Sequence, residues 1–224
     1  MHIIAKIYTD FQTKFGIPRQ SGLISALKGK IVFEPEYRNA EAIRGLDGYS
    51  YIWLIWQFSE SVREKWSPTV RPPRLGGNKR MGVFATRSPF RPNPIGLSSV
   101  KLDRVELTND QGPVLHVSGV DMMDGTPIYD IKPYIPQDCH PDVSAGFIDD
   151  LTENKLQVIF PDYLLELIDK NKRDALLSVL ETDPRPSYQD DPERVYGISF
   201  AGKDIHFVVN RSELTVIEII SLDE

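Results

Sequence analysis

Two arginines, an asparagine and three prolines fall within ten residues at Arg87-Ser88-Pro89-Phe90-Arg91-Pro92-Asn93-Pro94-Ile95-Gly96. The prolines fix φ before any ligand arrives, which lowers the entropy lost on binding. Such a segment can hold guanidinium groups toward an anion, although a purely structural proline-rich turn has the same rigidity. A second candidate is Ile17-Pro18-Arg19-Gln20. Arg19 offers a planar donor fork, and the Gln20 amide can pair with a carboxylate or a base edge. A plain surface turn fits these residues too. A third is Asp121-Met122-Met123-Asp124-Gly125-Thr126-Pro127, followed by Asp130, Lys132 and Tyr134. It gathers three carboxylates, an ammonium and a phenol near strand ends. Asp124-Gly125-Thr126-Pro127 also reads as a β-turn, and Asp130 with Lys132 as an ion pair.

Other chemistries lack their signatures. No GxxxxGK[ST], no GxGxxG after a strand, no CxxC and no HExxH occurs in the 224 residues. A P-loop, a Rossmann nucleotide site, a structural zinc and a zincin site are therefore not expected, and no metal is. His2, His116, His140 and His206 are scattered, and Cys139 is the one cysteine. The start of the chain lacks a signal-peptide pattern, and the longest apolar run, Ile52–Phe58, is too short to span a bilayer. A cytoplasmic protein without a membrane segment is expected.

The net charge is −6, but its distribution is uneven. Residues 1–140 carry 18 Lys+Arg and 14 Asp+Glu, whereas residues 141–224 carry 8 and 18. Within 63–104 there are 10 basic and 2 acidic residues. Screening limits distant acids to a reach of about 8–10 Å, so this basic segment can attract phosphates. A solvated basic loop beside an acidic tail is the plainer reading.

The elements that must position these residues are mostly strands. Candidates are Ile3–Tyr8, Lys30–Phe33, Ser50–Phe58, Gly82–Thr86, Leu97–Leu107, Val114–Val120 and Ile128–Ile131, separated by Gly and Asn-Asp turn signals. Ser50–Phe58 is so apolar that burial on both faces is expected. One short helix is expected at Asn39–Arg44. Many short strands without alternating helices point to an antiparallel barrel or sandwich. After a linker at 137–154, an amphipathic helix beginning at Pro161 precedes strand-like runs at Val195–Phe200, Ile205–Val209 and Leu214–Ile220. The expected fold is mainly β: an N-terminal barrel over 1–138 and a small α+β C-terminal domain over 155–224.

The strings PRQSGL, AIRGLDGYSYIWL, RPPRLGGNKRMGVFATRSPFRPNPIG and DGTPIYDIKPY, in this order, resemble the TsaA/TrmO family over residues 1–136. The DPRPSY string at Asp183–Tyr188 is similar to the C-terminal domain of its bacterial members. The resemblance implies a single-sheeted β-barrel that dimerises and binds S-adenosylmethionine. It also implies methylation of N6 of threonylcarbamoyladenosine, just 3′ of the anticodon of threonine tRNA. Carried over, the donor contacts are Pro18, Arg19, Gln20, Ser59, Glu60, Arg87, Leu97, Ser118, Gly119, Val120 and Asp121. Asp124 is the expected proton acceptor, with Asp130 and Tyr134 as alternatives. Arg71, Arg74, Lys79, Arg80 and Arg91 are expected to face the anticodon stem-loop, joined by Arg185 and Tyr188 or with those two serving as a packing turn. A non-catalytic RNA-binding barrel and a methyltransferase with a non-RNA substrate are the competing readings.

Overall fold

The computed structural model describes residues 1–72, 75, 79–148, 155–185 and 191–222. Six strands close into a barrel. They are β1 (Ala5–Tyr8), β2 (Lys28–Phe33), β3 (Tyr51–Gln57), β6 (Ile95–Thr108), β7 (Gly112–Ser118) and β8 (Thr126–Pro133). Their order around the barrel is β1-β2-β7-β6-β3-β8, every pair antiparallel. Closure leaves no unpaired strand edge. The interior is filled by alternate residues, as the two-residue strand period requires: Ile7, Ile31, Ile52, Leu54, Val100 and Leu115 are all buried.

The expected seven strands in this half thus become six barrel strands and one fragment. Gly82–Thr86 folds instead as a short strand, β5 (Met81–Gly82), and a 3-10 turn over Val83–Ala85. β5 pairs with β4 (Thr69–Val70) in a two-stranded ribbon outside the barrel. The helix expected at Asn39–Arg44 is a single 3-10 turn, Ala40–Ile43, capped by the Asn39 side chain. Ser50–Phe58 is not buried on both faces. Ile52, Leu54 and Trp56 point into the barrel, whereas Tyr51 is 46% exposed on the outside. Apolar residues on both faces here mean an apolar outer surface, not an inner strand.

The second half forms a four-stranded sheet of β9 (Gln157–Ile159), β10 (Tyr196–Phe200), β11 (Lys203–Asn210) and β12 (Glu213–Ser221), in the order β10-β11-β12-β9. The helical stretch is split into α1 (Asp162–Leu165) and α2 (Lys170–Glu181). β9 lies parallel to β12 and was not expected, being too short for its period to show. Phe11 of the barrel meets Phe200 of β10 edge-on at 5.4 Å between centroids. Lys172 of α2 binds both carboxylate oxygens of Asp10 at 2.8 and 2.6 Å. One continuous apolar core runs through both halves.

Candidate functional site

A concavity with a volume of about 1560 Å³ opens beside the end of β3. It exceeds the roughly 300–1,000 Å³ typical of small-ligand pockets, so it has room for a cofactor and a nucleotide together. Its walls come from the loop after β1, the 3-10 turn after β3, the β4–β5 ribbon, the proline-rich loop before β6, the segment after β7 and the turn after α2.

The proline-rich loop and the Ile17–Gln20 loop, far apart in sequence, meet here. Arg87 Nη1 donates to Gln20 Oε1 at 2.5 Å, with Pro18 buried beneath. The Ile17–Gln20 loop is pinned to the end of β7: Gly22 N–H donates to Gly119 C=O at 2.9 Å, and Gly119 N–H to Leu27 C=O at 2.8 Å. Gly119 sits at φ +75°, and a Cβ there would lie 3.2 Å from the Gly22 Cα, so glycine is required.

Asp121 follows on the cleft wall. Its Oδ1 accepts from the Ser98 hydroxyl at 2.7 Å, and Ser98 Oγ accepts from Trp56 Nε1–H at 3.0 Å. The direction is forced, because an indole nitrogen only donates and the serine proton must then go to the carboxylate. Burial pushes the Asp121 carboxyl up to about 6, against the Ser98 hydroxyl, the backbone of Ser21 and the Arg87 charge, which pull it down. Trp56 and Ser98 carry no motif, and their meeting depends on the register of β3 against β6. Gly96 makes room for the indole: a Cβ there would come within 2.2 Å of the Trp56 ring.

The other expected site residues divide between cleft and elsewhere. Arg19, Ser59 and Glu60 line the cleft, as do Arg71, Arg80, Arg91 and Arg185. Arg91 also braces its own loop, donating to the carbonyls of Thr86 and Ser88 at 3.1 and 3.3 Å. Arg185 makes a two-pronged contact with Asp183, both at 2.9 Å. Lys79 is exposed beside the ribbon. Arg74 and Tyr188 lie outside the described residues.

Ser118, Gly119 and Val120 are buried, with Ser118 Oγ bonded to Asp103 and Lys28. Leu97 stands 55% exposed on the outer barrel face, opposite Ile55. Asp124 accepts Thr9 N–H at 2.8 Å and forms the β-turn that its sequence allowed, with Gly125 at φ +73°. Asp130 pairs with Lys132 at 3.1 Å, and Tyr134 packs on Tyr51 and Trp53. None of these last three lines the cleft. Several residues that do line it went unmarked in the sequence: Phe15, Arg63, Trp66 and Phe84.

These walls suit a zwitterionic sulfonium donor. Arg87 offers charge-assisted hydrogen bonds for a carboxylate. Asp121 offers a negative charge for a cationic centre, and Pro18, Leu23 and Phe58 an apolar edge.

Residues 6–139 match the family described as tRNA-methyltransferase O N-terminal domain, and residues 153–222 match the TrmO C-terminal domain. A tRNA (adenine(37)-N6)-methyltransferase of Escherichia coli is 42% identical over 197 residues, covering 85% of this chain and 83% of its own length. One from Eikenella corrodens is 40% identical over 177 residues, covering 78% and 99%. The crystal structure of TrmO from Pseudomonas aeruginosa superposes with a TM-score of 0.76 at 30% identity, covering 99% of this chain and 97% of that one. With both halves matched in order, the chain belongs to the tRNA-methyltransferase O family.

Proposed function

We propose that this chain is an S-adenosylmethionine-dependent tRNA methyltransferase acting on N6 of threonylcarbamoyladenosine, 3′ of the anticodon of threonine tRNA. The observation that carries the reading is the cleft itself. It holds the Arg87–Gln20 pair and the Asp121 carboxylate within a lining that counts nine lysines and arginines, Arg87 among them, against the two carboxylates of Glu60 and Asp121. That balance favours a polyanionic substrate over a neutral metabolite. The family membership and the relatives named as tRNA methyltransferases support it.

The donor supplies an electrophilic methyl group on a sulfonium. The chain's task is to hold donor and acceptor nitrogen in line, which is a positioning effect. Arg87 holds the donor's carboxylate, and Gln20 fixes the guanidinium. Asp121, oriented by Ser98 and Trp56, faces the cationic end. The acceptor N–H must release its proton. Asp124, Asp130 and Tyr134 stand outside the cleft, so within it the carboxylates of Asp121 and Glu60 are the groups that can take it, or pass it to solvent. Residues 1–138 serve as the catalytic, donor-binding domain, and 155–224 as an accessory domain that adds Arg185 to the rim.

The same reading includes a homodimer in the cytoplasm. Leu97, expected at the donor, stands outside its own chain's cleft beside Ile55 and Tyr51 on an apolar outer face, so it would reach a donor only across a two-fold interface. Among the described residues, no helix is long and apolar enough to cross a membrane. The test is mass spectrometry of anticodon-loop fragments after incubation of tRNA with enzyme and donor. The expected outcome is a gain of one methyl on the threonylcarbamoylated base. Donor binding without any methylated tRNA would overturn the reading.

A further inference from the structure

Trp66 and Phe84 stand side by side at the cleft rim, 52% and 72% exposed, with ring centroids 6.0 Å apart. Large aromatics so exposed are unusual unless they meet a partner. The ribbon also sets the two rings beside each other. Trp66 precedes β4 and Phe84 follows β5, so the ribbon pairing of Thr69 with Gly82 brings them to the same end. Val83 N–H donates to Pro68 C=O at 2.9 Å, and the buried Val83 side chain anchors the turn that carries Phe84. Ser67 Oγ donates to Thr69 C=O at 2.8 Å, and Arg80 Nη1 reaches Thr69 Oγ1. Arg63 and Lys65 flank the pair on the same wall, and Arg63 already stacks on Phe90 at 3.8 Å.

Aromatic faces flanked by cations match a single-stranded nucleic acid, whose bases present π-faces between phosphates. A protein partner would not need this density of positive charge. We propose that Trp66 and Phe84 form a stacking ledge for an unpaired loop base next to the methylated adenosine. The ledge holds that neighbour splayed, so the target base can enter the cleft without its stacked companion. The inference rests on the tRNA reading above and names the part of the substrate that this wall contacts. It also assigns the rim a role separate from charge: the cations draw the loop in, and the rings select an unstacked one.

The full-length protein, saturated with donor, would be titrated with a synthetic anticodon stem-loop carrying the threonylcarbamoylated adenosine. Two further RNAs would carry an abasic site on its 5′ or its 3′ side. Trp66→Leu should weaken binding of the intact loop by about 5- to 150-fold, the range that base–aromatic stacking carries. The slope of log affinity against log salt should not change, because no phosphate contact is lost. Trp66→Phe should restore most of the affinity. On one of the two abasic loops, wild type and Trp66→Leu should bind alike. Equal losses on the intact and both abasic loops, or no loss at all, would overturn the ledge while leaving the methyltransferase reading intact. So would a loss of affinity that tracks dissociation into monomers in sedimentation. Wild-type protein that binds donor but no stem-loop would instead overturn the substrate reading, and the ledge with it.

Discussion

Asp121 is the residue where stability and function oppose each other. Its carboxyl titrates at about 6 in the fold against 3.8 when unperturbed, chiefly because it is buried. A raised carboxyl pKa means the folded chain binds the proton more tightly than the unfolded chain. Stability from this group is therefore complete below about pH 4 and is lost as the pH rises through 6. Asp121→Asn removes the buried charge and should stabilise the protein at pH 7.5 by about 1–2 kcal/mol, allowing for the side that faces the open cleft. The melting temperature should rise by a few degrees, and the gain should vanish near pH 4. The same variant should bind donor less tightly at neutral pH, and wild-type affinity should fall as the pH drops through 6. Calorimetry at several pH values checks both. A variant that neither gains stability nor loses donor affinity at pH 7.5 contradicts this account. The sequence placed Asp121 among the donor contacts only through resemblance. Its partners Ser98 and Trp56 were illegible because their meeting depends on the register of β3 against β6 and on the segment after β7, which no local pattern encodes.

At the scale of elements, the proline-rich loop and the start of β6 form one device. Arg87 at one end reaches Gln20, and Gly96 at the other admits the Trp56 indole beneath Asp121. Gly96→Ala should push the indole out and break its bond to Ser98. Overpacking and the lost hydrogen bond together should cost about 2–4 kcal/mol. Urea unfolding would measure this, with a shift in tryptophan emission as the local sign. Unchanged stability and emission would show that the ring is not confined as described. The turn and strand signals of the sequence located this device well: Gly, Pro and alternating apolar residues give all six barrel strands to within two residues. They failed at Gly82–Thr86, where a β-like run folds as ribbon and 3-10 turn. They also failed at β9, whose three residues show no period. The reason is common to both: strands this short are set by their partners, not by their own composition.

For the whole molecule, the join between barrel and second sheet decides whether the chain unfolds as one. Phe11 against Phe200 lies within a continuous apolar core, and the Asp10–Lys172 pair bridges the two halves at its partly exposed margin. A single cooperative thermal transition is expected for the wild type. Asp10→Ala leaves the Lys172 ammonium without its partner but near enough to the surface to reach water. It should lower stability by about 1–3 kcal/mol while keeping one transition, because the aromatic contact remains. Scanning calorimetry would show this, and two resolved transitions in the wild type would contradict it. None of this joining was legible beforehand. The sequence announced a boundary by its linker and its change of style, but the residues that cross that boundary are separated by more than 150 positions and carry no mark of each other.

The barrel's closure bears on how the protein moves. A ring of strands cannot fray from an edge; any strand that leaves must give up two ladders together. Amide protons in the ring are therefore expected to exchange with solvent in one slow tier. The ribbon that carries the cleft rim lies outside this ring, its own two strands joined by only two pairs of residues. It can breathe, admit a bulky RNA loop and settle again, while the hydrogen-bonded hoop behind it stays shut.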